Sequence, residues 1–193
     1  MEFFSNIDRM IFSLCNHSLR NSLFDAVLPF VTDLNQHWYG LSLAVILWLL
    51  LLLRGRTPGR LAALLLIPTI AFSDQLNSSL LKYLIVRPRP CHALVDVHLL
   101  VNCGSGNSFP SSHAVNTFAA ALVLAYFLPR WTWAFFSFAV IVAFSRVYVG
   151  VHYPSDVLAG SVIGLICGAL VILIFRAVEQ WWVSRRPQKG GSS

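Results

Sequence analysis

Apolar runs at 38–53, 61–86, 114–128, 131–149 and 157–175 follow one another along most of this chain. Each has about the length of a bilayer-spanning helix, ~20 residues, or falls slightly short of it. A backbone inside hydrocarbon must satisfy its own amides and carbonyls, so runs of this kind are expected to be helices. Composition points the same way: 56% of the 193 residues are hydrophobic and 11% charged, and the mean hydropathy is +0.68. Such values lie outside the usual soluble range. The expected fold class is all-α, a polytopic membrane helical bundle built as a single domain over 1–193. A shorter run at 23–34 carries Asp25 and Asp33; it either spans with help from its flanks or lies in the interface.

Loop charge sets the expected orientation. Arg54, Arg56 and Arg60, the turn at Arg130, and a flexible tail at 184–193 with Arg185, Arg186 and Lys189 share one side if every run crosses once. The positive-inside rule makes that side cytoplasmic. The amphipathic N-terminal segment 1–22, with Arg9 and Arg20, joins it only if 23–34 also crosses. Six spans with both termini cytoplasmic are therefore predicted. The segment lacks the apolar core and cleavage site of a signal peptide and is expected to be retained. By the same alternation, 82–89, 91–112 and 146–156 emerge together on the outer face of the cell's inner (plasma) membrane. Trp38, Trp131, Trp133, Trp181 and Trp182, at run ends, read as an interfacial belt. Gly160, Gly164 and Gly168 form a small-residue strip for close helix approach, within the bundle or between subunits. Asp74, with Asn77 and Ser78, reads as interhelical hydrogen-bonding glue.

The net charge of +6 is not a nucleic-acid footprint, because no basic stripe is interleaved with exposed aromatics and several cations lie between apolar runs. An ionisable side chain at the centre of a spanning helix costs roughly 2.5–3.5 kcal/mol, so those kept near membrane segments are functional candidates. Three groups qualify. Lys82 and Arg89 flank a turn enforced by Pro88 and Pro90; taken alone, they read as a snorkelling lysine and a basic juxtamembrane loop. Pro110-Ser111-Ser112-His113 precedes the run at 114; serines at a helix start can cap it, and a helix start also suits an anion. Ser145-Arg146 is followed by His152 and then Asp156. A carboxylate bonded to one imidazole nitrogen fixes the tautomer and leaves the other nitrogen free to attack.

Taken in order, Lys82, six residues, Arg89-Pro90, then Pro110-Ser111-Ser112-His113, then Ser145-Arg146, five residues, His152, three residues, Asp156 resemble the three-part signature of the type 2 phosphatidic acid phosphatase superfamily. Ser112 departs from the Gly of many members. The resemblance implies a catalytic set of His152, His113 and Asp156: His152 the nucleophile that becomes a phosphohistidine, Asp156 its orienter, His113 the general acid and then base. It implies that Lys82, Arg89, Arg146, Ser111 and Ser112 hold the phosphate oxygens. Phosphoryl transfer rests mainly on positioning and charge stabilisation, which fixed cations can supply without Mg²⁺. With no dense carboxylate cluster in the chain, neither metal nor cofactor is expected. A zinc site from His92, His98, His113 and Asp96 lacks the tight ligand spacing. Cys91 and Cys103 are either free thiols or a disulfide, and the outer face favours the bridge; Cys15 and Cys167 read as ordinary helix residues. The expected substrate is a lipid phosphate or pyrophosphate in the bilayer, undecaprenyl pyrophosphate first, with phosphatidylglycerophosphate, phosphatidate and lipid A 1-phosphate as alternatives. A lipid phosphotransferase and a non-enzymatic anionic-lipid binder or transporter are the readings from other classes.

Overall fold

The computed structural model describes residues 2–185. The expected tail beyond Arg185, with Arg186 and Lys189, lies outside them. Helix α1 (Glu2–Ser13) runs into a π-helical turn (Leu14–Ser18) and is followed by α2 (Ser22–Thr32) and α3 (Trp38–Arg54). Helix α4 (Thr57–Leu76) continues through a π-helical turn (Asn77–Leu81) and Lys82–Leu84. After a long loop come α5 (Ser112–Phe127), α6 (Thr132–Tyr148) and α7 (Pro154–Ser184). Three segments, Thr57–Leu84, Pro129–Tyr148 and Pro154–Ser184, are long and apolar enough to cross a membrane, and α3 and α5 are shorter apolar helices. These five match the five long runs, and α2 is a third shorter apolar helix, over the run at 23–34. Prolines sit in the first turns of α4 and α7, where the missing N–H costs nothing.

Helix α5 occupies the middle, packed against α4, α6 and α7. Its buried positions are small or β-branched, Ala114, Val115, Ala119, Ala121, Val123 and Ala125, which lets three neighbours approach it. The glycine strip of α7 faces α5. A Cβ on Gly160 would lie 2.7 Å from the Ser111 carbonyl oxygen, one on Gly168 2.9 Å from that of Ala119, and one on Gly164 would overlap that of Val115. The strip therefore serves packing within the chain. Asn116 of α5 donates to Asp74 of α4 at 2.9 Å and accepts from Ser73 at 2.7 Å, tying those two helices together inside the apolar region.

The run at 23–34, for which a helped span and an interfacial segment were both open, forms a short apolar helix. Helix α2 has 11 residues, ~16 Å at 1.5 Å per residue, about half of a ~30 Å hydrocarbon core. Both of its ends are tied to the last turn of α6. The Asn21 N–H donates to the Tyr148 hydroxyl at 3.3 Å, that hydroxyl donates to Asp25 Oδ1 at 2.7 Å, and Arg146 Nη1 donates to Thr32 Oγ1 at 2.6 Å. Helix α1 sits at the same end, with Asn16 Nδ2 donating to the Tyr148 carbonyl at 2.7 Å and Phe12 against Tyr153 at 5.7 Å between ring centroids. The N-terminal pair thus caps the end of the bundle where α4 and α6 finish and α5 and α7 begin. Asp25 and Thr32 find partners in Tyr148, His98 and Arg146 at that end, while Asn21 caps its own helix and Asp33 also accepts from Gln36.

Candidate active site

All eight expected site residues lie at that capped end. Lys82 closes α4. The chain then turns extended at Ile85 and restarts at Arg89, the N-cap of the short helix Pro90–Ala93. Arg89 Nε donates to the Gly106 carbonyl at 2.9 Å, so the loop after Cys103 aims its guanidinium inward. Cys91 and Cys103 are joined as a disulfide in the structure, closing that loop over Arg89. Ser111 is the N-cap of α5 but makes no side-chain capping bond. The capping role open to it from sequence is not the one observed, and its buried Oγ is left without a partner. Ser112 Oγ accepts from Asn77 Nδ2 at 2.8 Å, which leaves the Ser112 proton free to point elsewhere.

The third group is held by a tight turn between α6 and α7. Gly150 has φ +88, a left-handed conformation open to Gly but costly for other residues. A Cβ there would also lie 2.6 Å from Val97 Cγ1. The turn brings the His152 amide back onto the Arg146 carbonyl at 3.2 Å. His152 is 2% exposed. Its Nδ1 faces Asp156 Oδ2 at 3.5 Å and Ser108 Oγ at 3.4 Å, while Nε2 faces Arg89 Nη1 at 3.4 Å. Asp156 is fully buried; its Oδ2 also accepts from the Tyr153 N–H at 2.8 Å and from the Ser108 hydroxyl. This set of bonds leaves the Nδ1 side committed to the carboxylate and the Nε2 side turned toward the cations.

Arg146 is 5% exposed. Thr32 and Asp33 anchor its Nη1, the latter at 3.6 Å, and its Nε has no partner. His113 Nε2 is likewise buried and unpartnered. Arg146, His152 and Lys82 all lie within electrostatic reach of His113, and Arg89 and Arg146 within reach of His152. Burial, followed by those two guanidinium charges and against the bond to Asp156, pushes the His152 imidazole down to about 4. Among the described residues, the buried side-chain atoms left without a hydrogen bond are Asn77 Oδ1, Ser111 Oγ, His113 Nε2 and Arg146 Nε. A buried orphan polar atom, donor or acceptor, costs about 1–3 kcal/mol. Three belonging to one cationic site is a cost that an anion with several oxygens would relieve.

Residues 60–180 match the PAP2 superfamily. The chain belongs to that superfamily. It is 32% identical over 168 residues, 85% of this chain and 80% of the relative, to undecaprenyl-diphosphatase BcrC of Bacillus subtilis. It is 36% identical over 134 residues to the lipid A 4'-phosphatase of Bacteroides thetaiotaomicron, covering 63% of this chain and 57% of that protein. Among solved structures, a transmembrane PAP2 type phosphatidylglycerolphosphate phosphatase from Bacillus subtilis superposes with a TM-score of 0.71 at 28% identity, covering 92% of this chain and 89% of the other.

Several residues around this PAP2 site were not found from sequence. Ser108 sits between His152 and Asp156; its position just ahead of Pro110-Ser111-Ser112-His113 was the available signal. Arg87, two residues before Arg89, donates to Asp156 Oδ1 at 2.6 Å. Thr32 and Asp33 anchor Arg146, and acids in an apolar run were the visible hint. Asp8 carried none, whereas Asn77, read as interhelical glue, does bridge to Ser112. The histidines considered for zinc are held apart: His98 Nε2 faces Asp25 at 3.0 Å, His92 Nε2 faces the Gly104 carbonyl at 2.9 Å, and His113 lies at the start of α5.

Proposed function

We propose that this chain is an integral-membrane lipid phosphatase that transfers a phosphoryl group from a lipid phosphate or pyrophosphate to His152 and then to water, without a metal. The observation that carries this reading is the trio of unpartnered buried polar atoms, Ser111 Oγ, His113 Nε2 and Arg146 Nε, beside a histidine whose Nε2 faces Arg89. In the first step the Nε2 lone pair forms a bond to the terminal phosphorus and that phosphorus parts from its leaving oxygen, the ester oxygen of a lipid phosphate or the bridging oxygen of a pyrophosphate, which departs with the lipid monophosphate. His113, entering the step as an imidazolium, gives its Nε2 proton to that oxygen and is left neutral. In the second step water attacks the phosphohistidine, His113 takes the water proton, and the N–P bond breaks to restore His152. Lys82, Arg89, Arg146, Ser111 and Ser112 stabilise charge on the phosphoryl oxygens, and Asp156 balances the charge that develops on the ring.

If α3 to α7 each cross once, the positive-inside rule puts the basic turns at 54–60 and Arg130 on the cytoplasmic side and the candidate site on the outer face. Among lipids, undecaprenyl pyrophosphate is the first choice, supported by the extent of the likeness to the BcrC relative. The test is phosphate release by detergent-purified protein from undecaprenyl pyrophosphate, phosphatidylglycerophosphate, phosphatidate and lipid A, with EDTA present. Fastest release from the polyprenyl substrate, undiminished by EDTA, is expected. Faster release from another lipid reassigns the substrate, and loss of activity with EDTA that returns with Mg²⁺ overturns the metal-free mechanism.

The attacking Nε2 must be unprotonated, and burial holds the folded His152 ring neutral down to about 4, so the acid limb of kcat/KM that belongs to the nucleophile is expected near pH 4. The stability effect has the same sign. Between about 6.5 and about 4 the unfolded ring is protonated and the folded one is not, so the unfolded chain binds more protons and stability declines as pH falls across that window. An acid limb of kcat/KM at pH 6.5 would contradict the buried, neutral state of His152.

A further inference from the structure

Arg87 joins two carboxylates that lie 148 positions apart in the chain, Asp8 and Asp156. Its Nη1 donates to Asp156 Oδ1 at 2.6 Å and its Nη2 to Asp8 Oδ2 at 2.5 Å. Asp8, on α1, is 7% exposed and does more than pair with the arginine. Its Oδ1 accepts from the Ser155 N–H at 2.9 Å and its Oδ2 from the Ser155 hydroxyl at 2.5 Å, while that hydroxyl accepts from Arg87 Nη1 at 2.7 Å. The guanidinium lies over the Tyr153 ring at 3.9 Å. Every residue from Tyr153 to Asp156 except Pro154 is thus held by this clamp. Asp156 divides its oxygens: Oδ1 to Arg87, and Oδ2 to Ser108, the Tyr153 N–H and the His152 side.

We propose that Asp8 and Arg87 are positioning residues for phosphoryl transfer, so that the N-terminal helix α1 is part of the catalytic apparatus. The proposal rests on the reading of His152 as nucleophile. A planar guanidinium can serve two carboxylates with separate nitrogens in a fixed geometry, which a lysine point charge cannot. Without Arg87, Asp8 and Asp156 would face each other across Ser155 as uncompensated like charges. The natural relief is rotation of Asp156 away from His152, which frees the imidazole tautomer and leaves the ring's developing charge unbalanced. Without the Asp8 charge, Arg87 is free to swing toward the loop and Ser155 loses one of its two acceptors. A cleft of about 200 Å³ lined by Ser5, Arg9, Arg87, Pro88, Ala93 and Tyr153 opens onto the guanidinium, so a small cation can reach its place.

The test uses the full chain in detergent and compares Asp8→Asn, Arg87→Ala and the double variant with wild type, His152→Ala and Asn16→Ala. Asn16 fastens α1 to α6 away from the clamp. The expected result is a fall in kcat of about 10- to 100-fold for each single clamp variant, the range seen when the partner that orients a site residue is removed. KM is expected to stay within about threefold, the double variant to be no slower than Arg87→Ala, and millimolar guanidinium, but not equal sodium chloride, to restore much of the Arg87→Ala rate. Full kcat in the clamp variants, a loss confined to KM, or an equal loss in Asn16→Ala would overturn the proposal. Should Arg87→Ala not fold, the isosteric Asp8→Asn decides by the same criteria. Full activity in His152→Ala would instead bring down the nucleophile assignment itself, a result separable from failure of the clamp.

Discussion

Replacing His152 by alanine is expected to lower phosphate release by at least about 10⁴-fold, the order seen when the nucleophile of a covalent mechanism is removed. The loss should fall on kcat, since Arg89, Arg146, Lys82 and the serines remain to bind the head group, and KM should change little. Wild-type enzyme quenched in base after brief reaction with a phosphorus-labelled substrate should carry label that is stable to alkali and released by acid, as a phosphoramidate is. That label should map to His152 and be missing from the variant. The geometry favours this outcome because the two ring nitrogens are already differentiated: Nδ1 looks toward Asp156 and Ser108, Nε2 toward Arg89. Label on any other residue, or release by the variant at the wild-type rate, would remove His152 from the nucleophile's role. Retained binding with no turnover in wild type as well would move the chain toward the lipid-binding or transport reading.

The second large effect is on folding. Gly164→Leu is expected to destabilise the bundle by at least about 3 kcal/mol, at or above the upper end of ordinary overpacking, and to leave little monodisperse protein after extraction. At Gly164 the obstruction is the Val115 carbonyl and the Ala119 amide, backbone atoms of a helix that cannot rotate aside as a side chain would. Relief requires α7 to move off α5, and those two helices begin with Asp156 and His113. Activity should therefore be lost together with thermal stability. Gly106→Ala is the control, since nothing lies within 4 Å of a Cβ at that position, and its melting temperature should match wild type. A Gly164→Leu protein that melts with wild type would show that the glycine strip does not set the α5–α7 contact.

Membrane character and the five long helices were legible because they depend on local quantities, run length and the need of each segment to satisfy its own backbone. The site residues were legible as three groups for a related reason. Each group is a short stretch at a helix end, and alternating crossings deliver 82–89, 110–113 and 146–156 to the same end of the bundle. The run at 23–34 shows where this reasoning stops. Asp25 and Asp33 were visible anomalies in an apolar run, but the partners that Asp25 and Thr32 take at the end of α6 were not. Tyr148 and Arg146 lie more than 110 positions away, and no local pattern points to them.

By itself the sequence determined an all-helical membrane bundle with a histidine, cation and serine cluster suited to a phosphoryl group, since helix length, proline placement and motif spacing act within a few residues. Only the tertiary structure decided that α2 folds back on the site end, that the glycine strip serves α5 rather than a second subunit, and that Asp8 reaches Arg87 and Ser155. Those outcomes depend on which buried polar groups and which backbones meet across the bundle. Such a meeting stabilises only once desolvation is matched by a partner of the right geometry, and that partner's place is a property of the packed helices.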